Sequence, residues 1–209
     1  MAHVLIWGAS GGIGRALTEA FVAAGHTVVA VARRTEGLNS LTPHVLAGDV
    51  ADPEAVSQAA QRVAEIVVPI DVFVYSVGDI LSAKVAEMDL EHWRRIVDAN
   101  LTGVFLTARA LLPHLASQAH LFLLGAQHER LRLPGLGAYA AAKAGLEALA
   151  EVLRKETRRR VTVVRPQAVA TPLWQKVPFR IPAHALSPQR VAETILQAWT
   201  ENREGILDI

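Results

Sequence analysis

Two side chains in the second half of the chain could handle a proton together. Tyr139 and Lys143 are four residues apart at the start of a segment with helical apolar spacing, so they share one face of a predicted helix. A free phenol has a pKa of about 10, too high for a base near neutrality, but a nearby cation favours the phenolate and lowers that pKa. Such a pair is more often a surface accident when it stands alone, so its meaning depends on the elements around it.

A glycine-rich turn near the start of the chain could bind an anion. Residues 4–7 form a short apolar run, the turn follows, and apolar residues then repeat at helical spacing. Glycines let a pyrophosphate approach the backbone closely, and the free N–H groups of the new helix point at it. Many glycine turns only connect elements, so this motif alone is weak. The residues expected at the phosphates are Gly8, Ser10, Gly11, Gly12, Ile13 and Gly14.

A third candidate, Asn100, falls on the apolar face of a long helix predicted over residues 90–112. Burying an amide is costly unless its hydrogen bonds are made. Asn100 therefore either bonds a neighbouring backbone carbonyl as part of the fold or has a functional role.

The elements that must position these residues alternate between strand and helix. Strands are predicted over residues 4–7, 27–31, 45–47, 71–75, 120–124, 161–164 and 206–209. This order predicts a single-domain doubly wound parallel sheet of about seven strands with helices on both faces. Ligands of such sheets bind beyond the carboxyl ends of the strands. The residues that follow strand ends, and should share that edge, are the glycine turn, Arg33, Asp49, Gly78, Ala126 and Pro166.

Three motifs resemble the short-chain dehydrogenase/reductase family, and the resemblance covers essentially residues 1–209. They are Gly8-x-x-x-Gly12-x-Gly14, the segment from Asn100 to Phe105, and Tyr139-x-x-x-Lys143. The resemblance implies a Rossmann fold and hydride transfer between a nicotinamide and a carbonyl or alcohol carbon. It implies Tyr139 as general acid or base, Lys143 as holder of the nicotinamide ribose, and Asn100 as organiser of a relay water.

Further cofactor contacts follow the strand ends. An acidic residue after the second strand binds a ribose 2′-hydroxyl, whereas arginine accommodates a 2′-phosphate. Arg33 and Arg34 occupy that place, which favours NADP(H) over NAD(H), unless they are ordinary solvated charges. The resemblance places Asp49 and Val50 beside the adenine. Gly78 would permit close backbone approach, and the segment with Pro166, Val169 and Thr171 would wrap the nicotinamide.

The sequence departs from the family pattern where catalysis would be affected. Ala126 stands thirteen residues before Tyr139, where the family has a serine that bonds the developing alkoxide. Losing one such donor typically costs about 10²–10³ in rate. Gln127, His128 or a water could replace it. Tyr75 and Ser76 occupy the usual places of two asparagines, and Gln167 that of a glycine.

These observations favour an NADP(H)-dependent oxidoreductase of small, mostly apolar carbonyl compounds. The alternative is an NADP(H)-binding protein with little catalysis, a sensor or partner-binding module, because of Ala126. A sugar-nucleotide epimerase comes last, since the chain is short for the substrate domain that such enzymes usually need. Residues 173–186 form either a lid over the substrate or a packed connecting loop.

The composition limits the classes of partner and the kinds of site that we expect. The net charge is +1 with dispersed basic residues, which does not suggest nucleic-acid binding. No apolar run reaches membrane-spanning length, and no signal peptide is recognisable. Cysteine is absent, so no thiolate metal site or disulfide can form, and we expect no metal. We expect a cytoplasmic protein, and the resemblance implies a homodimer or homotetramer.

Overall fold

A seven-stranded, wholly parallel sheet forms the centre of the computed structural model, which describes residues 1–209. The strand order is β3-β2-β1-β4-β5-β6-β7, so the chain crosses from one half of the sheet to the other between β3 and β4. The strands are β1 (His3–Trp7), β2 (Thr27–Ala32), β3 (His44–Ala47), β4 (Ile70–Tyr75), β5 (Leu115–Leu124), β6 (Arg160–Arg165) and β7 (Gly205–Asp208). The predicted fold class is confirmed.

Six α-helices cover the two faces of the sheet. They are α1 (Gly12–Ala23), α2 (Pro53–Ile66), α3 (Leu90–Val97), α4 (Gly103–Leu111), α5 (Gly137–Thr157) and α6 (Pro188–Thr200). Helices α1 and α6 pack together on one face, and α2, α4 and α5 cover the other. None of the helices combines the length and apolar character that a bilayer crossing requires.

Each face of the sheet buries its own apolar cluster, because alternate residues of a strand point to opposite sides. Within β1, Leu5 and Trp7 belong to the cluster under α2, α4 and α5, whereas Val4 and Ile6 belong to the cluster under α1 and α6. Strands buried on both faces read as continuous apolar runs rather than alternating ones. This burial fixes the register of β1 between β2 and β4, and it brings the ends of these strands to one edge.

Two predicted boundaries are wrong. The helix predicted over residues 90–112 is interrupted by a π-helical turn (Asp98–Thr102), which separates α3 from α4. There the Gly103 N–H donates to the Asp98 carbonyl, five residues back. Strand β5 begins at Leu115, not at residue 120: Leu115 already pairs with Ile70 of β4, and the register shifts before His120 pairs with Val72.

Candidate active site

The glycine turn lies tightly against the chain that leaves β4. Gly8 has φ +93°, and a Cβ there would lie 2.7 Å from the Val77 backbone nitrogen. A Cβ on Gly14 would lie 2.1 Å from the Gly8 carbonyl oxygen. Both positions therefore exclude any side chain, and the turn presents bare backbone to the edge of the sheet.

The N-terminus of α1 keeps its backbone donors free of side-chain caps. Asp52, Asp89 and Ser187 cap helices α2, α3 and α6, but Gly11 at the start of α1 offers no side chain. Ser10 and Gly11 are exposed beside these donors, and Gly12 and Ile13 are half-buried. The uncapped N–H groups and the helix dipole suit an anion such as a pyrophosphate.

Basic and acidic side chains meet beyond β2 and β3. Arg33 Nη1 lies 3.8 Å from Asp49 Oδ2, with the Arg33 side chain 72% and the Asp49 side chain 38% exposed. Arg34 is also exposed, and Val50 is buried in the core behind Asp49. The sequence-predicted adenosine contacts are thus brought together, and the long, exposed ion pair leaves Arg33 free to turn to another partner.

Asn100 is fully buried in the π turn, close to the end of β4. Its amide nitrogen donates to the Asp79 carbonyl at 2.7 Å and to the Ile96 carbonyl at 2.8 Å. Its Oδ1 has no hydrogen-bond partner, and a Cβ on Gly78 would lie 3.3 Å from that oxygen. Asn100 therefore keeps a buried acceptor free beside the exposed Gly78, and such an acceptor calls for a partner such as water.

Tyr139 and Lys143 lie on the first turns of α5, against the end of β5. Lys143 is buried, and its Nζ donates to the Leu124 carbonyl at 2.6 Å. The same Nζ lies 5.6 Å from the centroid of the Tyr139 ring. The two side chains are thus neighbours on one helix face, as their spacing predicts.

The expected depression of the Tyr139 pKa is wrong for the ligand-free protein. Burial raises the pKa of Tyr139 to about 12 and lowers the pKa of Lys143 to about 7. Desolvation penalises the charged form of both groups, and it outweighs any stabilisation of a phenolate by the ammonium. In this state the phenol holds its proton.

The segment after β6 returns across the edge to the glycine turn. Pro166 and Val169 are buried, and a Cβ on Gly12 would lie 3.0 Å from the Thr171 methyl carbon. Trp174 Nε1 donates to the Val169 carbonyl at 2.8 Å. Thr171 therefore lies beside the predicted phosphate site.

A pair of residues that the sequence did not indicate joins this segment to the end of β4. Lys176 Nζ lies 2.5 Å from Asp79 Oδ1, and Arg95 Nε lies 3.1 Å from Asp79 Oδ2. The Asp79 side chain is only 15% exposed. Asp79 and Lys176 are 97 residues apart, so no local pattern could have revealed their contact.

The structure provides no hydroxyl at position 126. Ala126 is buried directly after β5. Of the proposed substitutes, His128 Nε2 lies 3.4 Å from Glu147 and 3.5 Å from Glu129, two carboxylates that also surround Arg165. Gln127 makes no cap for the short turn that follows it and is half-buried beside Ala126. Gln127 is thus the less committed of the two side chains.

An apolar cavity of about 270 Å³ lies against the start of α5. Its lining includes Ala138, the neighbour of Tyr139, with apolar residues of α3 and of the chain before it. The main apolar lining residues are Ala83, Val85, Met88, Leu90, Trp93 and Ala138.

A parallel sheet with a glycine turn, a buried asparagine and a tyrosine–lysine pair at its carboxyl edge defines a dinucleotide-dependent α/β enzyme. The profile of the short chain dehydrogenase family matches residues 2–180. The chain belongs to this family and is an NAD(P)-dependent oxidoreductase.

Individual proteins resemble this chain in sequence or in fold. The 3-oxoacyl-[acyl-carrier-protein] reductase FabG of Thermotoga maritima is 30% identical over 217 residues, which cover 92% of this chain and 87% of that protein. The alcohol dehydrogenase of Thermococcus sibiricus, solved with 5-hydroxy-NADP, has a TM-score of 0.92 at 24% identity and covers 100% of this chain and 96% of its own. The 3-ketoacyl-(acyl-carrier-protein) reductase of Brucella melitensis, solved with NADH, has a TM-score of 0.87 at 22% identity, with coverage of 100% and 96%.

Proposed function

We propose that the protein reduces small, mostly apolar carbonyl compounds with NADPH, or oxidises the corresponding alcohols, with Tyr139 as the acid–base group. The observation that carries this proposal is the meeting of Tyr139, Lys143, Asn100 and the glycine turn at one sheet edge. The residues fit a nicotinamide dinucleotide, since Gly8 and Gly14 let the turn fold tightly and the start of α1 presents backbone donors that no side chain caps. The cofactor, when bound, supplies or accepts the hydride.

The side chains of this chain then handle the proton. Tyr139 holds its proton at neutral pH and can donate it to a carbonyl oxygen that gains negative charge. Lys143, on the same helix face, would bind the nicotinamide ribose and stabilise the phenolate left behind. Asn100 would hold a water at its free Oδ1, through which the proton is replaced.

The preference for NADP(H) rests on Arg33 and Arg34. Both are exposed beyond β2, and the only acidic group paired with Arg33 is Asp49, at 3.8 Å. A 2′-phosphate carries more charge than this exposed carboxylate and can accept bidentate hydrogen bonds from a guanidinium. The other cofactor contacts that we propose are Asp49, Val50, Gly78, Lys143, Pro166, Val169 and Thr171.

The first prediction tests Tyr139 directly. NADPH oxidation would be followed against a panel of aldehydes and ketones with wild-type protein and with Tyr139→Phe. We expect turnover by wild type, faster with NADPH than with NADH, and a loss of at least about 100-fold in Tyr139→Phe, because the proton donor is gone. NADPH affinity, measured by fluorescence, should stay within about twofold. Equal rates in the two proteins would contradict the role of Tyr139.

A second candidate function is dinucleotide binding with little catalysis, in a sensor or partner-binding protein. The observation that favours it is the buried alanine at position 126, where no hydroxyl faces the developing alkoxide. Under this alternative, wild type binds NADPH but turns over no member of the panel.

Ala126→Ser separates the two functions in a second prediction. If Gln127 or a water already supplies the missing hydrogen bond, the new hydroxyl should change kcat by less than about tenfold. If nothing supplies it, kcat should rise by about 10²–10³, the usual worth of one such donor. The same assay on Ala126→Gly, which adds no donor, is the control.

We also propose that the protein is a homodimer or homotetramer and works in the cytoplasm, where it can draw on the nicotinamide coenzyme pool. Exposed apolar side chains on α3 and α5 support self-association, namely Leu90 and Trp93 on the first helix and Val152 on the second. Light scattering would measure the molar mass of wild type and of Trp93→Glu. A monomeric wild type whose mass Trp93→Glu does not change would contradict the proposed assembly.

A further inference from the structure

Tyr75 reaches the π turn from the central sheet. It is the last residue of β4, has no exposed surface, and packs with Trp7 and Val50 in the cluster under α2, α4 and α5. Its hydroxyl donates to the Ala99 carbonyl at 2.8 Å. The residue before Asn100 in the chain is therefore tied to the end of the neighbouring strand.

The hydrogen bond from Tyr75 compensates for one that the π turn gives up. In a continuous α-helix the Ala99 carbonyl would accept from the N–H of Gly103, four residues on. In the π turn that N–H donates instead to the Asp98 carbonyl. The Ala99 carbonyl accepts instead from the Tyr75 hydroxyl, so this half-buried acceptor keeps a partner although the π turn has taken its helical donor.

Gly103 makes the space that the Tyr75 hydroxyl needs. A Cβ at this position would lie 2.4 Å from the Tyr75 oxygen and 2.8 Å from the Val50 Cβ. Gly103 has an ordinary helical conformation, with φ −62°, so its backbone does not require glycine. What requires glycine is the close approach of the phenol. Tyr75 and Gly103 thus fit directly against each other.

We propose that Tyr75 is a positioning residue that holds the π turn in place and thereby sets Asn100 at the active site. The chain of contacts runs from the Tyr75 hydroxyl to the Ala99 carbonyl, and from there to Asn100, whose amide bonds Asp79 and Ile96 while its Oδ1 stays free beside Gly78. Burial raises the pKa of Tyr75 far above its ordinary value, so the phenol remains a donor at all working pH values. This inference rests on the proposed function, because it assigns Asn100 to the reaction.

A double-mutant cycle tests the inference, with Tyr75→Phe, Asn100→Ala and the combined variant assayed on the fastest carbonyl substrate of the panel. Tyr75→Phe should lower kcat by about 10- to 100-fold, since a shift of about 1 Å in a positioned group costs that much. In the Asn100→Ala background the same change should cost less than about twofold, and NADPH affinity should be unaffected. Equal losses in both backgrounds would overturn the proposal.

Thr42→Val is the matched control, because it also removes a buried hydroxyl that donates to a backbone carbonyl, that of Val28 at 2.6 Å. It should lower the melting temperature but leave kcat within about twofold. A crystal structure of Tyr75→Phe gives an independent readout. We expect the π turn to relax and Asn100 to lose its bond to Asp79. An unchanged turn with Asn100 in place would overturn the proposal, even if wild type proves to have no turnover and the proposed function fails.

Discussion

At the scale of single residues, the site combines groups whose protonation is set by burial rather than by mutual attraction. Lys143 donates to a backbone carbonyl and has no carboxylate partner, so desolvation lowers its pKa to about 7. Tyr139 has its pKa raised by the same cause. Near neutrality the ligand-free protein therefore holds a protonated phenol beside a lysine that is only partly charged.

A third prediction follows from the Lys143 pKa. A lysine is charged below its pKa, so the ammonium that binds the ribose is lost as pH rises above about 7. We expect kcat/KM for NADPH, which reports the free enzyme, to fall by up to about tenfold per pH unit above that value. Lys143→Met should have a low kcat/KM at every pH, without this decrease above pH 7. A flat profile from pH 6 to 9 in wild type would contradict the prediction.

At the scale of elements, the segment after β6 closes over the sheet edge and is held at both ends. Ala170 N donates to the Leu186 carbonyl, and Leu186 N donates to the Ala168 carbonyl, so backbone pairing closes the base of the excursion. Lys176 and Asp79 tie its first part to the end of β4. We propose that residues 173–186 are a lid, and that this ion pair is its latch.

Removing the latch is the fourth prediction. The Lys176 side chain is 49% exposed, so its pair with Asp79 should be worth about 1 kcal/mol, or about fivefold in the equilibrium between closed and open lid. In Lys176→Met we expect about fivefold faster chymotrypsin cleavage at the exposed Phe179 and faster NADPH release. Lys155→Met, which breaks the exposed pair with Glu151 on α5, is the control and should change neither rate. An unchanged cleavage rate in Lys176→Met would contradict the proposal that this ion pair holds the lid closed.

The sequence predicts those features that depend on neighbouring residues, and it does not predict those that depend on contacts between distant segments. Apolar runs predict the seven strands, and their parallel order predicts which residues share an edge. The sequence does not predict the π turn, because apolar residues continue at helical spacing on both sides of Asn100. The one extra residue of the turn does not interrupt this apolar pattern. The Tyr75–Ala99 and Asp79–Lys176 contacts join distant segments, so only the folded chain shows them.

At the scale of the whole molecule, one buried histidine away from the site links folding to pH. His120 lies in β5 with no exposed surface, stacked on Phe122 with ring centroids 4.0 Å apart. Its Nε2 lies 2.8 Å from Thr162 Oγ1, and that hydroxyl donates to the Arg203 carbonyl. Because the hydroxyl proton is committed to Arg203, Nε2 must be the donor to Thr162. The Nδ1 of His120 is buried with no hydrogen-bond partner, so a second proton there would be unsatisfied, and the neutral imidazole is favoured.

The fifth prediction concerns stability in acid. Burial lowers the pKa of His120 from 6.5 to about 4, and the positive charge of Arg160 adds to the effect. Between these values the unfolded chain binds a proton that the folded chain does not, so the free energy of unfolding falls as pH drops from 6.5 towards 4. The full effect is on the order of 3 kcal/mol at pH 4 and vanishes above pH 6.5.

His120→Gln keeps a donor for Thr162 but does not titrate, so its melting temperature should depend less on pH than that of wild type between pH 6.5 and 4. The carboxylates contribute equally to both proteins, and the difference between the two curves therefore isolates His120. His184→Gln, a change at an exposed histidine, should follow the wild-type curve. Parallel curves for wild type and His120→Gln would show that folding does not shift the His120 pKa, and would contradict the prediction.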